Sequence, residues 1–283
     1  MKPAPFDYIR PANLAEALAL LAEHGDGCKI LAGGQSLVPA MNFRLVRPAL
    51  LIDINDLSLG EVRANPDWLS IGALTRHAAF HSAVVEGPLG RLLSKVARHI
   101  AHDPIRQRGT FGGSLAHADP ASEWCLVATT LGAQMVARSI RGQRVIESPA
   151  FFKGTFSTAL SADELLVDIR LPAMTKDWRT GFYEFARRGG DYALGMALAA
   201  LRIETGVVRE ARLGVGAAAD RAIRLEALEA QLIGQAVTSE VIAAIAGAAR
   251  ASIDPSGDIH ASPDYRRDLI ATAVTRALTE AAA

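Results

Sequence analysis

The chain has 283 residues, of which 50% are hydrophobic and 21% charged, so folding buries on the order of three quarters of the unfolded surface and a globular protein of two or three domains is expected. Lysine plus arginine and aspartate plus glutamate balance at 30 each, and no basic run of five or more residues occurs, which removes the electrostatic footprint of nucleic-acid binding. No apolar h-region opens the chain and no apolar stretch reaches the ~18 residues of a membrane span, so no span is expected and a cytoplasmic location is the default.

In chain order, Asn13 and Gly25 bracket the periodic segment 14–24 as N-cap and C′ residues of an amphipathic helix. CKILA (28–32) and ALLIDI (49–54) are short apolar runs that predict buried strands, and WLSIGALT (68–75) alternates toward a third. RHAAFHSAVV and PLGRLLSKVARHIA then show helical spacing, with Thr75 placed to cap the first. The stretch from His102 to Glu123 is rich in Gly, Pro, Asp and Ser and predicts a long loop, after which ASEWCLVATTLG resumes a helix. AQMVARSI, VIESP and ELLVDIRLP are strand-like, and PAMTKDWRTG (172–181) has a linker's composition, which places a domain boundary near residue 176. Beyond it, GFYEFARR, LGMALAALRIE and VVREARLGVGAA predict a three-stranded meander, followed by three helices to the end.

Two glycine segments carry the chemistry. In Ala32-Gly33-Gly34-Gln35-Ser36-Leu37, paired glycines directly behind a strand permit positive φ and let successive N–H groups converge on one anion, with Ser36 as a hydroxyl donor. An ordinary turn is the competing reading, because short glycine motifs are weak; neither GxGxxG nor GxxxxGK[ST] is present. The second segment, Gly109-Thr110-Phe111-Gly112-Gly113-Ser114, again pairs glycines with hydroxyls, and Asp119-Pro120 follows as an acidic helix cap with Pro at the first position. Two such loops, roughly 80 residues apart, suit one ligand with two phosphates, such as a dinucleotide. Asp119 serves either as that cap alone or also reaches a ribose hydroxyl. His77 and His81 lack the glutamate and third ligand of a zinc motif. Arg187, Arg188 and Asp191 form either an ion pair or a phosphate-neutralising group, or a solvated strand end. Cys28 and Cys125 suit buried thiols in a reducing compartment and cannot supply an iron–sulfur cluster's four thiolates.

AGGQSLVPAMNFRLVRPALLIDI, GTFGGSLAHADPASE and FYEFARRGGDYALGMALAAL, in this order, resemble the FAD-binding medium subunit of molybdenum hydroxylases, the carbon monoxide dehydrogenase and xanthine dehydrogenase group. The resemblance implies an α+β protein: a two-lobed FAD-binding domain of the vanillyl-alcohol-oxidase type over 1–176, with lobes of about 1–55 and 56–176, then a smaller domain over 177–283 with a three-stranded antiparallel sheet and helices. It implies a pyrophosphate between Ala32–Leu37 and Thr110–Ser114, further contacts at Ala118 and Leu166, Asp119 toward the adenosine, and Tyr192 near the isoalloxazine. Related covalent flavoproteins often carry histidine where this chain has Gln35, so FAD is expected to be non-covalent. Relatives resembling xanthine dehydrogenase carry a lysine in the segment where this chain has Tyr183 and Glu184. The implied partners are a 2Fe-2S small subunit, a molybdopterin large subunit and an external electron acceptor. A self-sufficient flavin oxidase or dehydrogenase and a non-redox dinucleotide-binding module are the rival readings.

Overall fold

The computed structural model describes residues 2–283. In the first lobe, β1 (Asp7–Ile9), α1 (Leu14–His24), β2 (Cys28–Leu31), α2 (Leu37–Asn42) and β3 (Leu50–Asp53) build a three-stranded parallel sheet in the order β1-β3-β2. α1 forms as its caps predict: the Asn13 side chain accepts from Glu16 N, and Gly25 follows at φ 48°. Its buried Ala17, Leu18 and Leu21 cover Leu50 and Ile52 of the sheet. β1 is missing from the pattern-based reading because three residues are too few for an alternation to register.

The second lobe holds β4 (Val62–Ala64), β5 (Trp68–Gly72), α3 (Pro88–Ala97), α4 (Asp103–Arg106), α5 (Phe111–His117), α6 (Glu123–Leu131), β6 (Gln134–Ser139), β7 (Gly142–Glu147), α7 (Ser148–Phe151), the hairpin β8 (Phe152–Gly154) and β9 (Ser157–Thr158), and β10 (Leu165–Pro172). Its five-stranded sheet is antiparallel throughout, in the order β4-β5-β10-β6-β7. α5 and α6 cross this sheet through a tilted aromatic cluster, with the Phe111 and Trp124 ring centroids 4.7 Å apart and Phe80 5.1 Å from Trp124. Two expectations fail here. The segment after Thr75 is only a 3-10 turn, His77–His81, and Thr75 Oγ1 donates to Gly60 O instead of capping it. The stretch from 102 to 123 is not an open loop, because Pro104 in a first turn and the Thr110 cap fold it into α4 and α5.

The third layer comprises β11 (Trp178–Phe185), β12 (Gly195–Glu204), β13 (Val207–Gly216), β14 (Ile223–Arg224), α8 (Glu226–Leu232), α9 (Ser239–Ser252) and α10 (Pro263–Ala282). The meander is antiparallel, and two-residue β14 adds a fourth strand beside the three expected. One face packs on α8, α9 and α10. The other, through Phe182, Met196, Leu198 and Ala200, joins the core of the second lobe.

That seam contains two carboxyl groups. The side chain of Glu184 on β11 is 4% exposed, its Oε2 has no hydrogen-bond partner among the described residues, and His99 Nδ1 lies 3.8 Å away. Burial first, then the charge of Glu123 at the start of α6, pushes Glu184 up to about 9; burial likewise pushes Glu123 up to about 7, while burial lowers His99. The seam therefore holds neutral carboxyl groups near pH 6, and burial disfavours the charged imidazole beside them. Because the folded-state pKa values exceed the unfolded one, this contribution is complete below about pH 4.5 and is lost as pH rises through about 7 and then 9. Urea denaturation at pH 5, 7 and 9 is expected to show falling stability, and Glu184→Gln is expected to recover on the order of 2 kcal/mol at pH 9. A variant with the wild-type pH profile would show that the pair is not buried as described.

Candidate functional site

The strand β2 ends at Leu31, and the backbone then runs directly against the turn between α4 and α5. A Cβ on Gly33 would lie 2.5 Å from Arg108 O and 2.6 Å from Gly109 Cα, so only glycine lets these two backbones touch. A polar relay clasps them. Tyr8 donates to Asp53 Oδ2, Asn55 Nδ2 donates to Asp53 Oδ1 (2.5 Å) and Ala32 O (2.9 Å), and Arg76 donates to Asn55 Oδ1 (2.6 Å) and to Arg108 O. Asp53 is 7% exposed, and although burial opposes its charge, the bonds from Tyr8 and Asn55 hold its carboxyl below the usual range. The pattern-based reading missed Asp53, Asn55 and Arg76; the only available signal was an Asp and an Asn at the end of an otherwise apolar strand.

The first glycine segment is a run of unpaired backbone donors. Gly34 has φ 73°, and Gln35 Nε2 donates to Gly33 O at 3.0 Å, folding the loop on itself. The N–H groups of Gly33, Gly34, Gln35, Ser36 and Leu37 have no acceptor among the described residues, and exposed Ser36 leaves its hydroxyl unused as a cap. Arg76 is shifted downward by burial and by the charge of neighbouring Arg108. The Arg76 guanidinium, bonded to Arg108 O, thus stands at the turn that Gly33 touches.

The second segment works differently from the expectation. Thr110 is the N-cap of α5, its Oγ1 accepting from Gly113 N at 3.1 Å, and the Phe111, Gly112 and Ser114 N–H groups donate to Thr75 O, Ala73 O and Thr110 O. Its amides are occupied from Phe111 onward, and Thr110 N alone has no acceptor among the described residues. Gly112 and Gly113 have helical backbone and need no positive φ; a Cβ would meet Ala73 Cβ at 2.5 Å in the first case and Thr110 Oγ1 at 2.6 Å in the second. What this segment turns toward the first loop is close packing, with Ala32 beside Gly113, and half-buried Ser114.

At the far end of α5, Ala118 adopts φ 53° and its carbonyl accepts from Phe156 N. Asp119 forms an Asx turn, with Oδ1 accepting from Ala121 N at 2.9 Å, and α6 begins only at Glu123 after Ser122. The helix start is displaced because Pro120 O accepts from Ala217 N and is held in the seam. Here a cavity of about 860 Å³ opens, walled on one side by His102, Asp119 and Phe156 and on the other by Arg187, Tyr192 and His260. Tyr192 is 71% exposed at its edge. Phe156, itself at φ 55° and 59% exposed, stacks on His117 at 4.8 Å, a pair absent from the pattern-based reading. Asp119 and Tyr192 share this cavity and so do not stand a dinucleotide's length apart. Leu166 is 4% exposed in the core and does not line the cavity.

The remaining candidates resolve simply. His77 Nδ1 accepts from Trp124 Nε1 at 3.0 Å, and burial drops its pKa to about 4, so it is a neutral packing residue. His81 Nε2 accepts from Arg106 Nε at 3.0 Å, and no metal-binding cluster occurs among the described residues. Arg187 meets His260 at 3.2 Å and not Asp191. Tyr183 lies under Arg276, its ring centroid 4.7 Å from the guanidinium carbon. Both cysteines are free and buried, and burial pushes the Cys125 thiol up to about 12.

Residues 4–174 match the model of the FAD binding domain in molybdopterin dehydrogenase, and residues 180–281 match that of the CO dehydrogenase flavoprotein C-terminal domain. The chain belongs to the FAD-binding family of molybdopterin dehydrogenases. It is 42% identical to caffeine dehydrogenase subunit beta of Pseudomonas sp. strain CBB1, over 100% of this chain and 96% of that one. Its fold is similar to that of carbon monoxide dehydrogenase from Hydrogenophaga pseudoflava, in a form lacking the Mo-pyranopterin moiety, with TM-score 0.95, 36% identity and coverage of 99% of this chain and 98% of the other. It is likewise similar to quinoline 2-oxidoreductase from Pseudomonas putida 86, with TM-score 0.93, 38% identity and coverage of 100% and 98%.

FAD is the cofactor of this family, and the residues present fit it. Five consecutive free amides, the guanidinium of Arg76 nearby and a cradle that a single methyl would fill suit a diphosphate. Gly33→Ala should therefore cost most of the bound flavin while lowering unfolding stability by about 1–2 kcal/mol. Gly113→Ala should lose about 1 kcal/mol through the Thr110 cap and keep more flavin. The ratio of visible flavin absorbance to protein absorbance in the purified variants, with urea melts alongside, measures both; equal occupancy in the two variants contradicts this division of labour.

Proposed function

We propose that this chain is the flavin subunit of a molybdenum hydroxylase complex, taking electrons from a separate 2Fe-2S subunit, fed by a molybdopterin large subunit, and passing them to an external acceptor. The observation that carries the reading is the run of unpaired amides from Gly33 to Leu37 beside Arg76 and Arg108, in a chain that matches flavin subunits from end to end. When bound, FAD supplies one- and two-electron redox chemistry that no side chain here provides.

The chain's own residues bind and orient. Gly33 to Leu37 donate to the diphosphate, Ser36 adds a hydroxyl, and Thr110, Gly112 and Gly113 hold α5 against the loop. The seven residues of α5 carry the site about 10 Å further to the cavity, where we place Ala118, Asp119 and Tyr192 at the ring end of the cofactor, with Tyr192 shielding the ring. Gln35 is occupied with Gly33 O and has no nucleophile to link a flavin, so attachment is non-covalent. Leu166 supports the wall from within the core. The boundary between the FAD-binding part, 1–176, and the C-terminal part, 177–283, falls between β10 and β11. No helix among the described residues is long and apolar enough to cross a membrane, and two free buried cysteines suit a cytoplasmic location.

Acid precipitation of the purified chain should release yellow FAD into the supernatant. Dithionite should bleach the isolated chain, an electron acceptor should restore the colour, and purines, N-heterocycles, aldehydes or carbon monoxide should leave it yellow until the iron–sulfur and molybdenum subunits are added. Reduction of the single chain by one of these substrates at catalytic rates would replace this reading with that of a self-sufficient oxidase.

A further inference from the structure

The hairpin of β8 and β9 turns at Thr155 and Phe156, and Phe156 takes φ 55° there. A bulky side chain at positive φ is an outlier, in a kind of position that glycine or asparagine fills without strain. Burial does not offset the strain, because Phe156 is 59% exposed. The turn is nonetheless firmly held. Phe156 N donates to Ala118 O at 3.0 Å, Thr155 Oγ1 donates to Asp220 O at 3.3 Å, and the His117 ring backs the Phe156 ring with centroids 4.8 Å apart and planes at 29°. Burial lowers the His117 pKa, so an uncharged imidazole stands behind Phe156 at neutral pH. Across the cavity, Tyr192 is 71% exposed. Its turn is seated by Gly190 at φ 88°, a position where a Cβ would strike the His102 ring at 2.4 Å. The cavity of about 860 Å³ thus has an exposed aromatic ring on each side.

We propose that Phe156 is a flavin-contact residue whose ring stacks on the isoalloxazine from the wall opposite Tyr192. The proposal rests on the flavin function argued above and adds the residue that covers the ring's second face. Held, strained and exposed, Phe156 costs the free protein stability on two counts, and a planar ligand that covers it offsets the apolar part. The chemistry of the occupant follows from the pair of aromatic walls, since a flat π-system is what two such rings accept. Its placement follows from α5. This helix begins against the Gly33–Leu37 loop, with Gly113 beside Ala32, and ends at Ala118, whose carbonyl sets the Phe156 backbone. One rigid element therefore fixes the aromatic platform relative to the loop proposed for the diphosphate.

The test uses the full chain, freed of flavin and titrated with FAD and with FMN, together with the visible circular dichroism of the reloaded protein. Phe156→Gly removes the ring and relieves the backbone, so the chain should stay folded, bind FAD and FMN about tenfold more weakly each, and show a changed flavin dichroism. Phe156→Tyr should match wild type in all these readings. If Phe156→Gly does not fold, Phe156→Leu decides the matter: it keeps an apolar side chain on the same backbone and should still change the dichroism. Unchanged dichroism in the folded variants overturns the proposal, whatever the affinity. A loss of affinity confined to FAD, with FMN bound as by wild type, also overturns it, because the ring on Phe156 would then be adenine. Absence of any FAD binding by the wild-type chain would instead remove the functional reading on which the proposal rests.

Discussion

Everything about the site depends on one contact between two backbones: the exit of β2 at Gly33 touching the Arg108-Gly109 turn with no side chain between them. Backbone dipoles at this range need their polar groups satisfied from the side. The Asp53–Asn55–Arg76 relay does this by giving Ala32 O and Arg108 O a donor each. Remove the contact and the loop loses its far wall; remove the relay and the Ala32 and Arg108 carbonyls lose their partners. The apolar core contributes by fixing the second backbone, since Trp124 and Phe111 anchor α5 and His77 fills the space under Gly109.

The two glycine segments look alike in sequence and perform unlike tasks. In the first, a left-handed Gly34 turns N–H groups outward; in the second, the same residue types begin a helix whose first amides donate to Thr75 O, Ala73 O and the Thr110 cap. Steric need unites them: Gly33 and Gly112 each sit where a methyl group would strike a neighbouring chain. The asymmetry concentrates unpaired donors in one loop and leaves the other to set the distance from that loop to the cavity.

Most of the fold was legible because its elements obey local rules. Helix α1 is announced by Asn13 and Gly25, and strand β12 by the unbroken apolar run from Gly195 to Leu201. What escaped is what the tertiary structure imposes. Nothing local shows that Pro120 is pinned to Ala217, so the start of α6 was read three residues early, and nothing local shows that Thr75 is held by Gly60 and not free to cap. The glycine loops were visible as motifs, yet their convergence and the relay that clasps them join residues 8, 53, 55, 76 and 108, which no window spans. Phe156 was invisible for the same reason, since its left-handed backbone is set by the Ala118 carbonyl.

The free amides of the Gly33–Leu37 loop have a consequence for supply inside the cell. Water satisfies them until an anion does, so a cofactor held as proposed binds the folded state through donors that exist together only there. Folding and flavin availability are then linked quantities. The folded population gains RT ln(1 + [L]/Kd), about 2.7 kcal/mol when free cofactor exceeds Kd a hundredfold. Chains made faster than flavin is supplied sit lower on that curve and spend more time open to proteases, so the level of the vitamin sets how much of this subunit survives to be assembled.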